Sequence, residues 1–136
     1  MSTAEVLGEL NARINTIEEA YEYMLAYASQ GLTSDADNDT GRQAREHLKK
    51  CAAALANFGE FLTGFIDRLG VQPAAPYHGF IAVIDRDSRD ASAALQLVLA
   101  QPAISSQMVD NLNASIHLRA LLTDLFLIDE VLKAHR

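Results

Sequence analysis

His47 and the lone Cys51 stand four residues apart, one helical turn, a spacing at which both side chains could ligate one metal ion. Glu18, Glu22 or His117 would supply further ligands from neighbouring helices. Cys51 also falls in a hydrophobic seam as a small core residue, however, and no metal is the favoured expectation. The Glu-x-x-His pairs of di-iron bundles are absent, because Ala44 precedes His47 and Ala114 precedes His117 by three positions. A second polar line, Asp110, Asn113, His117 and Asp124, recurs at helical spacing, and Asp124 is placed to orient His117 as a general base requires. No serine or second cysteine is set as a nucleophile and no glycine-rich loop offers a phosphate cradle, so the expectation is a non-enzymatic protein without a cofactor. The small residues Ser88 and Ala91, with Glu18 and His117 beside them, mark the candidate pocket for a small ligand.

An acidic stretch precedes His47. Asp35, Asp37, Asp39, Gly41, Gln43 and Glu46 fall at positions 1, 3, 5, 7, 9 and 12 of the spacing used by calcium loops of the EF-hand type. That resemblance implies carboxylate ligation of a hard cation by Asp35, Asp37, Asp39 and Glu46. Thr40 occupies the sixth position, where a sharp turn needs glycine, and Arg42 the eighth, so a solvated acidic loop is the favoured reading. The segment that follows, His-Leu-Lys-Lys-Cys-Ala-Ala-Ala-Leu-Ala-Asn-Phe, resembles the surroundings of the phosphorylated histidine in histidine-containing phosphotransfer domains. The resemblance implies that His47 accepts phosphate, that Lys50 three residues on assists, and that the small run Cys51 to Ala54 leaves room for a docked partner. Histidine phosphotransfer is accordingly the alternative function.

Helical periodicity supplies the elements that would position these groups. Leu48, Cys51, Leu55, Phe58, Leu62, Phe65 and Leu69 alternate at spacings of 3 and 4, the mark of one buried helical seam. The same alternation runs through Leu7, Leu10, Ile14, Ile17, Tyr21, Met24 and Ala28, and again through Ile81, Ile84, Ser88, Ala91, Leu95 and Val98. Capping boxes at Ser2–Glu5 and Thr40–Gln43, Gly70 as a C-cap and Pro76 in a first turn mark the ends. The reading predicts helices over about 3–30, 41–69, 76–100 and 103–134, with a flexible acidic loop over 31–40, as a single domain. Three connections, two of them short, make the expected fold an all-α antiparallel four-helix bundle running up-down-up-down.

The last helix carries more apolar surface than one seam needs, including Phe126, Leu127, Ile128 and Val131. Tyr23 and Tyr27, one turn apart, are read as facing away from the first seam. Together these residues predict a homodimer interface, since a monomer would expose an unusually large apolar patch. A net charge of −7 with scattered basic residues argues against nucleic acid. The longest apolar run is far too short to span a bilayer, and Glu5 and Glu9 stand where a signal peptide would be basic. With a single cysteine, the expected compartment is the cytoplasm. The leading expectation is a homodimeric adaptor or regulatory module that binds another protein.

Overall fold

The computed structural model describes residues 2–135 as six α-helices and a closing 3-10 turn, with no strand among the described residues. The helices are α1 (Thr3–Ala28), α2 (Asp39–Leu55), α3 (Phe58–Leu69), α4 (Ala75–Leu99), α5 (Ser106–Ala114) and α6 (His117–Leu132), followed by the turn at Lys133–His135. The fold is all-α, as the periodicity predicts, and its buried apolar residues other than Val71 form one cluster. α1 packs chiefly on α2 and α5, while α4 packs on α6, α3 and α2. No helix among the described residues is long and apolar enough to cross a membrane.

The helix ends follow local chemistry, with one correction. Ser2 Oγ caps α1 as expected, accepting from the Glu5 N–H at 3.1 Å, but the reciprocal half of a capping box is replaced by a side-chain bond in which Ser2 Oγ donates to Glu5 Oε1 at 3.2 Å. Gly70 ends α3 at φ 65°, and Pro76 sits in the first turn of α4. α2 is capped by Asn38 rather than Thr40: Asn38 Oδ1 accepts from the Gly41 N–H at 2.6 Å. Gly41 is there because the loop folds back on it. A Cβ at that position would stand 2.3 Å from Asp35 Cα.

Two of the four expected helices are broken, and each break turns on one residue in the left-handed region. The span 41–69 divides at Ala56–Asn57, with Asn57 at φ 54°, and the span 103–134 divides at Ser115–Ile116, with Ile116 at φ 62°. Asparagine tolerates that conformation, whereas a β-branched isoleucine is strained by it. Arg13 on α1 holds the first break: its Nη1 donates to the exposed Ala56 carbonyl at 2.9 Å, and its guanidinium lies over the Phe58 and Phe61 rings at 5.5 and 4.5 Å from their centroids. At the second break Ser115 Oγ donates to the Leu112 carbonyl at 2.6 Å.

The seams survive these breaks. Leu48, Cys51, Leu55, Phe58, Leu62 and Phe65 are buried across both pieces, joined by Ile66, while Leu69 is only partly covered. All six residues of the α4 stripe, Ile81 to Val98, are buried. On α1 the buried set is Val6, Leu10, Ile14, Ile17, Ala20, Met24 and Tyr27, so the stripe drifts by one position at each end from the predicted one. Both ends shift to the same side of the helix, and α1 packs on α5 as well as on α2.

A buried ion pair joins the loop to the rest. Asp35, 6% exposed, accepts from Arg45 Nε at 2.6 Å and from the Ile104 N–H at 2.7 Å. The same guanidinium donates to the Leu99 and Gln101 carbonyls at 3.2 and 3.1 Å. Tyr27 donates to the Ile104 carbonyl at 2.7 Å, and Leu32 and Ser106 exchange hydrogen bonds at 2.8 and 2.9 Å. Burial raises the Asp35 carboxyl pKa, but the Arg45 and Ile104 hydrogen bonds outweigh it and hold the value below the ordinary 3.8.

Removing the carboxylate in Asp35→Ala leaves Arg45 and the Ile104 N–H without their partner, and should cost about 3 kcal/mol in urea denaturation. The native carboxyl titrates below its unfolded value, so its contribution is present above about pH 4 and is lost as pH falls through the lowered native value. The wild-type minus variant stability difference should shrink accordingly in acid. Ile116→Asn, at a site 59% exposed, relieves the left-handed strain and should raise stability by about 0.5–1 kcal/mol in the same assay.

Candidate functional site

An apolar surface feature lies between the start of α4 and the second half of α6. Pro73, Pro76, Tyr77 and Phe80 form one wall, Leu127, Ile128 and Val131 the other, enclosing an apolar groove of about 390 Å³. α6 buries Leu118, Leu121, Leu122, Leu125, Ile128 and Leu132 against the core. Its outer face is left with Phe126 at 50%, Leu127 at 54% and Val131 at 40% exposure. Phe126 is exposed but does not line the groove, whereas Leu127 and Val131 form its rim. The closing turn stops one end, with the Tyr77 hydroxyl 3.1 Å from His135 Nε2 and the two rings edge to face. Sequence reasoning found only the α6 wall. Tyr77 and Phe80 lie just before the α4 stripe, and nothing in their spacing marks them as facing α6.

The tyrosines on α1 do not belong to this face. Tyr27 is fully buried, so its expected place in an interface is corrected: Ala20, Met24 and Tyr27 form the inner stripe there, and the phenol fills the space under the α4–α5 link, bonded to Ile104. Burial and the nearby Asp35 charge raise its pKa above 10.0. Tyr23 is partly buried and packs within the protein, its ring stacked on His47 at 4.5 Å and its hydroxyl within 3.0 Å of the Thr40 carbonyl and 3.2 Å of Gln43 Oε1. His47 therefore has one ring face covered and is half-buried, while Lys50 beside it is exposed. Cys51, one turn away, is 0% exposed, and burial pushes its thiol up to about 12, which leaves it a protonated core residue.

The acidic residues of the loop take separate partners. Asp35 holds Arg45, Asp39 pairs with Arg42, and Glu46 lies 3.6 Å from Lys49, while Asp37 occupies a left-handed turn at φ 64°. The spacing that suggested calcium ligation thus serves a loop folded back against α2. Among the described residues no three His, Cys, Asp or Glu side chains converge as a metal site. The proposed small-ligand pocket is dispersed as well: Ser88 and Ala91 are buried, Glu18 is half-buried and His117 is exposed. The hollow that Ser88 does line is bounded by α2, α3 and α4 and takes in neither Ala91, Glu18 nor His117.

Asp124 has a different partner from the one expected. Its carboxyl meets that of Asp87 on α4, and one of its oxygens, Oδ2, is buried without a hydrogen bond among the described residues. Burial, then the hydrogen bond and charge of Asp87, push its pKa up to about 7. A carboxyl whose native pKa lies above its unfolded value of 3.8 binds a proton in the folded state that the unfolded chain has released. Its stabilisation is present at low pH and is lost as pH rises toward 7. Asp124→Asn should flatten this decline, narrowing the difference in thermal midpoint between pH 5 and pH 8 and raising the midpoint at pH 8.

No protein-family model, curated protein or solved structure matches this chain, so the geometry alone carries the functional reading.

Proposed function

We propose that the chain is a non-enzymatic interaction module of adaptor or regulatory type, acting as a homodimer in the cytoplasm. In this reading it is an antiparallel four-helix bundle in which α2–α3 and α5–α6 are each one broken leg. The observation that carries the proposal is the α4–α6 groove, with Leu127 and Val131 half-exposed on its rim and Tyr77 and Phe80 across from them. One patch thus offers both a protruding ridge and a hollow to receive it. That is the requirement of a two-fold interface, where the ridge of one copy enters the hollow of the other and the exchange is reciprocal. Aromatic and branched apolar side chains are the residues that anchor such contacts. A net charge of −7 disfavours nucleic acid as the partner. The dimer then presents its remaining polar surface to other proteins.

Sedimentation at micromolar concentration should give about twice the 14.8 kDa mass of one chain. Leu127→Asp combined with Val131→Asp should shift the particle to a monomer, raising the dissociation constant about 100-fold or more. Helical content should be retained, because both side chains are already half in solvent. A monomeric wild-type protein in that range overturns the dimer.

A further inference from the structure

The apolar groove occupies one end of a longer seam between α4 and α6. Tyr77 and Phe80 of α4 face Leu127, Ile128 and Val131 of α6 there. Asp87 lies seven residues beyond Phe80, about two turns along α4, and Asp124 lies four residues before Ile128, about one turn back along α6. Following α4 forward therefore follows α6 backward, and the two helices run antiparallel. The Asp87 and Asp124 carboxyls meet on this seam, next to the groove.

The surroundings leave these two carboxyls to each other. Both side chains are half-buried, and Asp124 Oδ2 is buried without a donor among the described residues. On α4, Arg89 is bonded to Asp85, and Arg86 and Asp90 are exposed. On α6 itself, Arg119 borders a surface hollow that Asp124 also lines, and its side chain is exposed. α1, α5 and the closing turn also pack on α6, but among the described residues the charge that acts on Asp124 is that of Asp87. Ionised carboxylates are acceptors only, so the pair can hydrogen-bond only while one member keeps its proton. With both ionised, like charges repel across a half-buried seam.

We propose that the Asp87–Asp124 pair is a proton-operated clasp on the α4–α6 seam, which holds the groove in its dimer-forming shape while one proton is shared and releases it when that proton is lost to solvent. Its effect on association rests on the homodimer reading above, whereas the closing of the seam does not. α6 is continuous from His117 to Leu132, so a displacement at Asp124 carries Leu127, Ile128 and Val131 with it. In a two-fold contact the same displacement acts on both copies. Each copy that closes its clasp on association takes up a proton, so the dimer is favoured in acid and opposed in base.

The test is a titration of the full chain from about pH 5.5 to 8.5, spanning neutrality, where ordinary aspartates stay ionised. NMR follows the carboxyl carbons of Asp87 and Asp124 and the methyl groups of Leu127, Ile128 and Val131, and sedimentation gives the dimer dissociation constant at each end. The pair should lose one proton in this range, the groove methyls should shift with the same midpoint, and the dissociation constant should rise about tenfold or more. Asp124→Asn and, separately, Asp87→Asn leave a single charge and supply a permanent donor. Each should remove the methyl shift and cut the change in dissociation constant to about twofold or less. The clasp is overturned if both carboxyls titrate near pH 4 like surface aspartates, if the groove methyls do not follow the pair, or if either variant, in a folded protein, keeps the wild-type pH dependence. A chain that is monomeric throughout overturns the homodimer reading instead, and the carboxyl and methyl signals then decide the clasp by themselves.

Discussion

The buried pair of Asp35 and Arg45 is the constraint on which the arrangement of the chain depends. The Asp35 carboxylate cannot leave water without its partner, and it stays buried, with Arg45 partly covered beside it, only while three segments stay together. Asp35 brings the loop after α1, Arg45 brings α2, and the Leu99, Gln101 and Ile104 backbone groups bring the link from α4 to α5. The pair also explains Gly41, which is needed because the loop backbone carrying Asp35 must press against the start of α2. A stretch that reads as an acidic, solvated loop is thereby fixed at its centre by a single carboxylate.

Arginines perform a related task twice. Arg45 reaches the carbonyls at the end of α4, and Arg13 reaches the Ala56 carbonyl left free where α2 stops. Helix ends expose carbonyls that need donors, and a guanidinium supplies several from one side chain. Each of these contacts also brings a neighbouring element close. Arg13 lies over Phe58 and Phe61, so the donor that satisfies the end of α2 also fixes the start of α3 against α1. The direction change in the broken span is set by a residue more than forty positions earlier in the chain.

What could be read from the sequence follows from how local each cause is. The α4 stripe and the seam from Leu48 to Phe65 were legible because burial on one face writes itself into spacing. Ser2, Gly70 and Pro76 were legible because caps and first turns are local chemistry. The breaks were not. Asn57 and Ile116 carry little local signal for interruption, and at Asn57 the partner that holds it comes from α1. Tyr27 misled because α1 covers α5 as well as α2, so a tyrosine one step off the expected stripe is still inside. The α6 half of the groove was visible as surplus apolar residues, whereas its other wall required knowing that Tyr77 and Phe80 come to lie beside it. Spacing alone placed Asp35 among cation ligands, and only the fold shows its cation to be a guanidinium.

The nine residues of α5 are too few for a helix to persist alone in water, where about 12–15 residues are needed even for good helix formers. Its helicity is therefore borrowed from its attachments: the Ser105 cap, the Leu32–Ser106 exchange, and the hold of Asp35 and Tyr27 on Ile104 just before it. This makes α5 a cooperative unit of its own, smaller than the domain and conditional on one ion pair. When that unit opens, Val109 leaves the core and the surface of α1 beneath it is uncovered, while the α4–α6 seam and its groove can stay closed. Amide protons in 106–114 would then exchange through a local opening, at a rate governed by a carboxylate seventy residues earlier in the chain.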